Sequence, residues 1–361
     1  MKVVVYKPDF LIWESLSPTH RFHGYMSAFV ELYADYIFAP GIRQAYRYQK
    51  ALAKLGIRKK LKYIYRMEAL NARTDVLVGF AIPYQEGEFL KAYRGLKVFH
   101  TTDYYMHPRE TQAYLSSVDA DAVIGHCQLD AHCAFFRQMY PEFIGKTISL
   151  PFGYAERFAV TKDFDDRINK AVGLGSINPV RDPMVSDSDT KDFVAYFKGE
   201  AYQHPLRYYL RENRECYTDC IDALFPGGTQ QKDFSYDAVQ MLNSYRMFIN
   251  DEGLSNFPPA RTFEGIACGC VMVASDNPIY TDLGFIPGVN YIAFSKGDYE
   301  DLGRKLRYYI AHPEELRAIQ EASVKLAEHF THQEVARMLY QKLESLATEK
   351  SARRRDEHEQ W

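Results

Sequence analysis

The sequence of 361 residues predicts an α/β chain of two doubly wound domains. Three observations carry the prediction. Short apolar runs, of the kind found in parallel sheets covered on both faces, alternate with helically spaced segments as far as residue 150. The alternation begins again at residue 170, reaches a last strand at residue 294, and is followed by closing helices. A chain of this length also exceeds what one hydrophobic core usually organises, while 47% apolar residues supply enough for two. The expected domains are residues 1–158 and 159–340, with a charged helical tail at 341–361.

Composition removes several function classes. A net charge of −3 gives no whole-protein case for nucleic acid binding. The N-terminus has one apolar tetrad and then a charged break, so it lacks a signal-peptide core, and no apolar run approaches the length of a bilayer. The six cysteines fit neither a zinc pattern nor a disulfide framework. Buried thiols in a reducing cytoplasm are the expectation.

Residues 2–6 (KVVVY) form the first predicted strand. The loop behind it carries His20, Arg21, His23 and Gly24, and residues 25–33 have helical spacing. Strand, polar loop and helix together begin a nucleotide- or sugar-binding unit, although no G-x-G-x-x-G follows the strand. His20, Arg21, His23 and Gly24 are candidates for contacting an acceptor, and equally suit an ordinary loop. Residues 34–39 predict a second strand. From 43 to 73, ten Lys or Arg stand against a single acid, Glu68, with Tyr46, Leu52, Leu55, Ile57, Leu61, Ile64 and Tyr65 interleaved. Such a basic amphipathic surface suits anionic lipid headgroups or an anionic acceptor, and a solvated helical face has the same pattern.

Residues 75–82 and 96–99 predict two parallel strands. The second leads into HTTDYYMHPR (100–109), the richest acid–base cluster in the first half. His100 and Asp103 are the candidate catalytic pair, able to contact sugar hydroxyls or move protons at a strand's C-terminal end; a structural pairing of the two is the alternative. Residues 121–126 and 146–150 predict two further strands, the latter ended by Pro151-Phe152-Gly153.

The second domain opens with a strand at 170–175 and a polar loop containing Arg181. Asp187-Ser188-Asp189 and Asp119-Ala120-Asp121 have the outline of a metal-holding acidic triplet. The first lacks a preceding apolar strand and the second opens one, so no metal is expected. Residues 193–198 predict a strand and 204–214 a helix with Arg207 and Arg211 one turn apart. Residues 251–275 are the most informative stretch. A polar loop leads through Pro258 and Pro259 into a helix at 259–267, Gly269 supplies a left-handed cap, and 271–274 is a buried strand. The loop–helix junction offers N–H groups and a positive dipole end to phosphate. Arg261 adds a forked donor and Glu264 can accept from sugar or ribose hydroxyls, while both also fit a solvated helix face. Residues 278–290 follow as a Gly/Pro loop and 291–294 as a strand. Helices are expected at 298–311, 313–329 and 332–347, with a charged tail from 349 that frays.

On these residues the stretch from Pro258 to Ser275 resembles the group 1 glycosyltransferases, retaining nucleotide-sugar enzymes of GT-B architecture. Glu252-Gly253, PARTFEGIACG (259–269), PGVNYIAF (287–294) and KTISLPFGYAERF (146–158) carry the resemblance, densely only at 252–294. It implies two Rossmann-like domains facing a cleft, with the acceptor mostly on the first and the donor on the second. It implies that Glu264 binds the donor ribose and that backbone N–H groups of Gly253, Leu254 and Ser255 face the sugar or diphosphate. The family has two glutamates eight positions apart. Here Asn256 stands eight before Glu264 and Glu252 twelve before it, so either fills the first role, contact with the donor sugar. The basic residue gripping the diphosphate is Arg181, Lys198 or Arg207. His100 occupies the position of a histidine that touches the donor sugar.

The reaction so implied moves a sugar from a UDP- or GDP-sugar to a glycan, lipid or small-molecule acceptor, with retention by front-face departure and without metal or bound cofactor. The expected location is the cytoplasm, with peripheral contact at the inner face of a membrane through residues 43–73. Two other readings stay open. One is a sugar-nucleotide epimerase or hydrolase of the same shape, using the His100/Asp103 cluster as base. The other is a non-catalytic two-lobed sugar- or nucleotide-binding protein, to which the altered glutamate spacing points.

Overall fold

The computed structural model describes residues 1–8, 24–81, 87–101, 103–180, 187–225 and 236–359. The chain divides into two compact units, Met1–Phe152 with His332–Trp361, and Gly153–Thr331. Among the described residues, no helix is long and apolar enough to cross a membrane.

In the first unit, strands β1 (Val3–Tyr6), β2 (Tyr36–Phe38), β3 (Lys62–Ile64), β4 (Val76–Phe80), β5 (Leu96–His100), β6 (Ala122–Gly125) and β7 (Thr147–Ser149) form one sheet. Its order is β3-β2-β1-β4-β5-β6-β7, and every pairing is parallel. The VVVY and VLVGF runs are buried at every residue, as strands covered on both faces must be. Helices α1 (Gly24–Tyr33), α2 (Ile42–Lys54), α3 (Met67–Arg73), α4 (Pro108–Ser117) and α5 (Ala134–Met139) connect the strands, and α12 (His332–Glu359) returns to the same unit. Phe29 of α1, Leu52 of α2 and Leu339 and Leu343 of α12 share one core with Val3, Val76 and Val98 of the sheet.

Two expectations are corrected here. The basic stretch 43–73 is not one amphipathic surface; it breaks into α2, the edge strand β3 and α3. Gly56 turns the chain at φ +75, and Ile64 registers against Phe38 of β2. The C-terminal tail does not fray from residue 349: α12 is continuous to Glu359. Lys350 anchors it, its Nζ lying 2.6 Å from Asp121 Oδ2 and donating to the Gly95 carbonyl at 3.0 Å. Both partners are more than two hundred residues away in sequence, so local composition could not reveal them.

In the second unit, β8 (Ile168–Leu174), β9 (Ile221–Leu224), β10 (Tyr245–Ile249), β11 (Val271–Ser275) and β12 (Ile292–Phe294) lie in the order β12-β11-β10-β8-β9, again all parallel. The helices are α6 (Asp187–Tyr196), α7 (Pro205–Glu212), α8 (Ala238–Ser244), α9 (Arg261–Ala267), α10 (Tyr299–Ala311) and α11 (Pro313–Ala327). Asp237 and Asp298 cap α8 and α10, accepting from the Gln240 and Asp301 N–H groups at 3.0 and 2.9 Å. The strand expected at 193–198 is instead the end of α6 and the turn after it. A short apolar run does not separate helix from strand by periodicity, and the polar residues before it join the helix. β9 was not anticipated. Arg167, 3% exposed, ties this unit together by donating to the Cys268 and Gly269 carbonyls at 2.8 and 3.0 Å and to Leu242 at 3.2 Å.

In each sheet the strand order reverses once, between β1 and β4 and between β8 and β10. Open α/β sheets bind ligands beyond the C-terminal strand ends at such reversals.

Candidate functional site

β8 and β10 end side by side, β8 running into Gly175-Ser176 and β10 into Asn250-Asp251-Glu252. Two arginines reach these ends. Arg207, on α7 and 7% exposed, donates from Nη1 to the Ser176 carbonyl at 3.1 Å and from Nη2 to the Asp251 carbonyl at 3.4 Å. Its Nε lies 3.8 Å from Asp251 Oδ2. Arg261, the first residue of α9, donates from Nη1 to the Leu174 carbonyl. Both guanidinium groups crowd Gly175, where φ is +114 and an added Cβ would stand 2.8 Å from Nη1 of each. Glycine is needed there for both the backbone conformation and the space.

The electrostatics of this corner are lopsided. Burial lowers the Arg207 guanidinium to about 10, although Asp251 beside it works the other way. Burial pushes Asp251 up, but His204, Arg207 and the Gly253 N–H, which donates to it at 2.9 Å, hold its carboxyl below the ordinary value. His204 Nδ1 is 3.5 Å from Asp251 Oδ2, and burial followed by the nearby Arg207 lowers its pKa against the pull of Asp251. Three arginines (Arg157, Arg207, Arg261) interact here with two carboxylates (Asp251, Glu264), leaving net positive charge. Among the described residues the buried Nε–H of Arg261 has no acceptor. An unpaired buried donor costs about 1–3 kcal/mol, which an incoming anion would relieve.

Glu264 lies one turn beyond Arg261 on α9, on the same helix face. Burial raises its carboxyl, with Arg261 and Arg157 opposing. Among the described residues its oxygens have no hydrogen-bond or ion-pair partner. Glu252 is its opposite. Oε1 accepts from Ser275 Oγ at 2.7 Å and Asn277 Nδ2 at 3.0 Å, pairs with Lys296 Nζ at 3.2 Å, and Oε2 accepts from the Tyr280 hydroxyl at 3.2 Å. Asn256 joins the same network, its Oδ1 accepting from Asn277 Nδ2 at 2.7 Å and Lys296 Nζ at 3.0 Å. Both candidates for the first-glutamate role are thus bound into one cluster, and Glu252 braces the loop from Asp251 to Asn256.

The remaining candidates divide. The N–H groups of Gly253 and Leu254 point inward, to Asp251 Oδ1 and to the Gln203 carbonyl at 2.9 Å, so they are not offered to a ligand as expected. Gly253 has φ +61, and a Cβ there would come 2.7 Å from the Gln203 carbonyl. Ser255 sits in the same turn. At the helix start the Thr262 and Phe263 N–H groups are engaged too, by the Pro259 and Ala260 carbonyls at 2.9 and 3.1 Å. Lys198 is exposed in the turn after α6, and nothing among the described residues ties it to Arg207 or Arg261. Arg181, His20, Arg21 and His23 lie outside the described residues. Gly24 opens α1 where an added Cβ would meet the His332 ring at 2.1 Å, so close packing of α1 on α12 explains it.

His100 ends β5 in the first unit, fully buried, with Nε2 2.6 Å from the Tyr25 hydroxyl and its ring 5.3 Å from that of His126. Asp103 is exposed in the following turn, its carbonyl accepting from the Met106 N–H at 2.9 Å.

Gly175, His204, Asp251 and Lys296 were missed as site residues. Gly175 and Asp251 were findable, since each follows an apolar strand at its C-terminal end. His204 and Lys296 carry no local signal.

Residues 229–340 match the model of the glycosyl transferase-like family. Over its length the chain is similar to Alr3699/HepE of Anabaena, solved in complex with UDP-glucose, at 14% identity and TM-score 0.51, covering 96% of this chain and all of that one. It is also similar to a glycosyltransferase from Rickettsia africae ESF-5 at 12% identity and TM-score 0.51, covering 95% of this chain and 98% of that one. At such identities the likeness is one of fold. No curated protein sequence matches. Residues 229–340 thus carry the glycosyl transferase-like family pattern, and over its length the chain has the two-domain α/β fold of these two structures.

Proposed function

We propose that this chain transfers a sugar from a UDP- or GDP-linked donor to an acceptor, and that the second unit holds the donor. One observation carries the reading: Arg207 and Arg261 meet at Gly175 and, among the described residues, a buried N–H of Arg261 has no acceptor and the Glu264 carboxylate one turn along has no hydrogen-bond or ion-pair partner. A diphosphate supplies the missing anion and a ribose supplies two hydroxyl donors for the carboxylate. The Alr3699/HepE complexes with UDP and UDP-glucose favour UDP as the nucleotide.

When the bond between the anomeric carbon and the diphosphate oxygen breaks, negative charge gathers on that oxygen. Guanidinium groups already fixed by carbonyl bonds can stabilise it without reorganising. In the front-face course that the resemblance favours, the acceptor hydroxyl attacks from the side of departure and its proton passes to the leaving diphosphate. The configuration is then retained, and the arginines carry the charge that a metal would otherwise neutralise. Glu252 holds the donor loop in place through Ser275, Asn277, Tyr280 and Lys296 rather than touching the sugar. His100, bonded to Tyr25, serves as a positioning residue in the acceptor-binding unit. The cytoplasm is the location this reading takes.

Thermal shifts with UDP, GDP and ADP identify the nucleotide, because ligands that bind only the folded state raise its stability. Nucleotide release from the matching sugar donor, with and without a panel of sugar and lipid-linked acceptors, then tests the reaction. Release that requires an acceptor supports transfer. Equal release without one supports a hydrolase or epimerase, and binding without turnover supports a binding protein.

A further inference from the structure

Helix α2 presents two unlike faces. Ala45, Tyr48, Ala51 and Leu52 are buried against the first unit's core. The opposite face exposes Ile42 at 83% and Tyr46 at 59%, together with Arg43, Lys50 and Lys54. At about 100° per residue, Ile42, Tyr46 and Ala53 fall on one stripe, with Lys50, Arg43 and Lys54 along its flank. A single exposed aliphatic residue is ordinary, and cations such as Lys62 on the edge strand β3 guard it against pairing with another chain. Neither accounts for an aliphatic and an aromatic side chain one turn apart on the outer face of a helix.

The cations on this face are uncompensated. Among the described residues Arg43, Lys50 and Lys54 form no ion pair, and Lys50 Nζ sits 4.6 Å above the Tyr46 ring. Lys60, Lys62 and Arg66, farther along, likewise form none. The nearby acids are Glu31, whose Oε2 accepts the Arg58 and Lys59 N–H groups at 2.8 and 3.1 Å, and Glu68, which is exposed on α3. Lys59 is engaged through Nζ with the Leu32 carbonyl at 3.1 Å, so it is not part of the surface.

We propose that this face of α2 docks the chain on a lipid bilayer bearing anionic headgroups. Ile42 and Tyr46 enter the interface, and Arg43, Lys50 and Lys54 meet the headgroup phosphates. The surface is the outer face of a single helix. Its apolar stripe flanked by cations matches a boundary where hydrocarbon lies beneath a layer of phosphate. The inference is independent of the donor site, since all of these residues belong to the first unit.

Cosedimentation of the full chain with vesicles tests it without reference to turnover. The parent should pellet with mixed phosphatidylcholine–phosphatidylglycerol vesicles, not with phosphatidylcholine alone, and high salt should release it. R43Q/K50Q/K54Q should lower the partition coefficient on the order of a hundred-fold, from roughly fivefold per cation near such a surface. I42S/Y46S should weaken binding while keeping its salt dependence, and K91Q/R94Q, exposed cations elsewhere in the same unit, should behave as the parent. All of these side chains are exposed, so an unchanged melting temperature verifies folding. A parent that stays in solution with anionic vesicles overturns the proposal, as does an R43Q/K50Q/K54Q variant that pellets like the parent. Equal loss in K91Q/R94Q, parental binding by I42S/Y46S, or binding to polyglutamate but not to vesicles also overturns it.

Discussion

Glu264→Gln keeps the shape of the side chain and removes its charge, and it should move stability and affinity in opposite directions. Burial raises the Glu264 carboxyl above its ordinary 4.5, with Arg261 and Arg157 pulling the other way. An acid raised by folding works against the fold where it is ionised. Well below its unfolded pKa both states hold the proton and the effect vanishes; it grows as pH rises through the folded pKa and is constant above it. The ligand-free variant should therefore melt higher than the parent at about pH 7.5 and close to it at about pH 4. Donor affinity should fall. Both carboxylate oxygens lack partners among the described residues, so both are available to the ribose diol. Hydrogen bonds to a charged group are worth about 1.5–3 kcal/mol each. Gln keeps one acceptor oxygen and turns an NH2 toward the second hydroxyl, so the loss is about 2–3 kcal/mol, roughly 30- to 150-fold in Kd. Calorimetric titration with UDP reads the affinity, and scanning calorimetry at the two pH values reads the stability. UDP affinity within about twofold of the parent would refute the donor role, since that is less than 0.5 kcal/mol. A lower melting temperature at neutral pH would show that the carboxylate has a structural partner instead.

Gly175→Ala forces a non-glycine residue to φ +114 and pushes both arginines from their carbonyls. About 1–3 kcal/mol of destabilisation in chemical denaturation and at least a tenfold weaker UDP affinity are expected; parental UDP binding would mean that the arginines do not meet the diphosphate. His100→Ala removes one partner of the Tyr25 hydroxyl and leaves a cavity, so about 2–4 kcal/mol should be lost on unfolding. Turnover should fall while UDP affinity, which belongs to the other unit, holds, and a parental rate would remove His100 from the mechanism.

The strands were legible because a parallel sheet covered on both faces is written as unbroken apolar runs. VVVY, VLVGF and VMVAS are of that kind, and each is buried at every residue. The helix–strand turn at 261–275 was legible as well, because Gly269 adopts the left-handed conformation expected of a cap, at φ +70. Residues 193–198 were misread because five or six apolar positions fit either period, and what precedes them decides. The tail was misread because charge composition describes solvation, whereas Lys350 is fixed by Asp121 and the Gly95 carbonyl.

The sequence by itself determined the fold class, the repetition of the α/β unit, and the stretch from Asp251 to Ser275 as the place to look, with Arg261 and Glu264 inside it. These follow from local rules: hydrophobic period, proline and glycine positions, and residue chemistry. Only the tertiary structure brings Arg207 and Arg261 together. Arg207 is carried to Gly175 by the reversal of strand order between β8 and β10. It also set the surroundings of the two glutamates: among the described residues Glu264 has no hydrogen-bond or ion-pair partner, while Ser275, Asn277, Tyr280 and Lys296 engage Glu252. The physical reason is that a carboxylate's role depends on which donors surround it. Those donors arrive from up to 44 residues away, along paths set by the packing of the sheet rather than by neighbours in the chain.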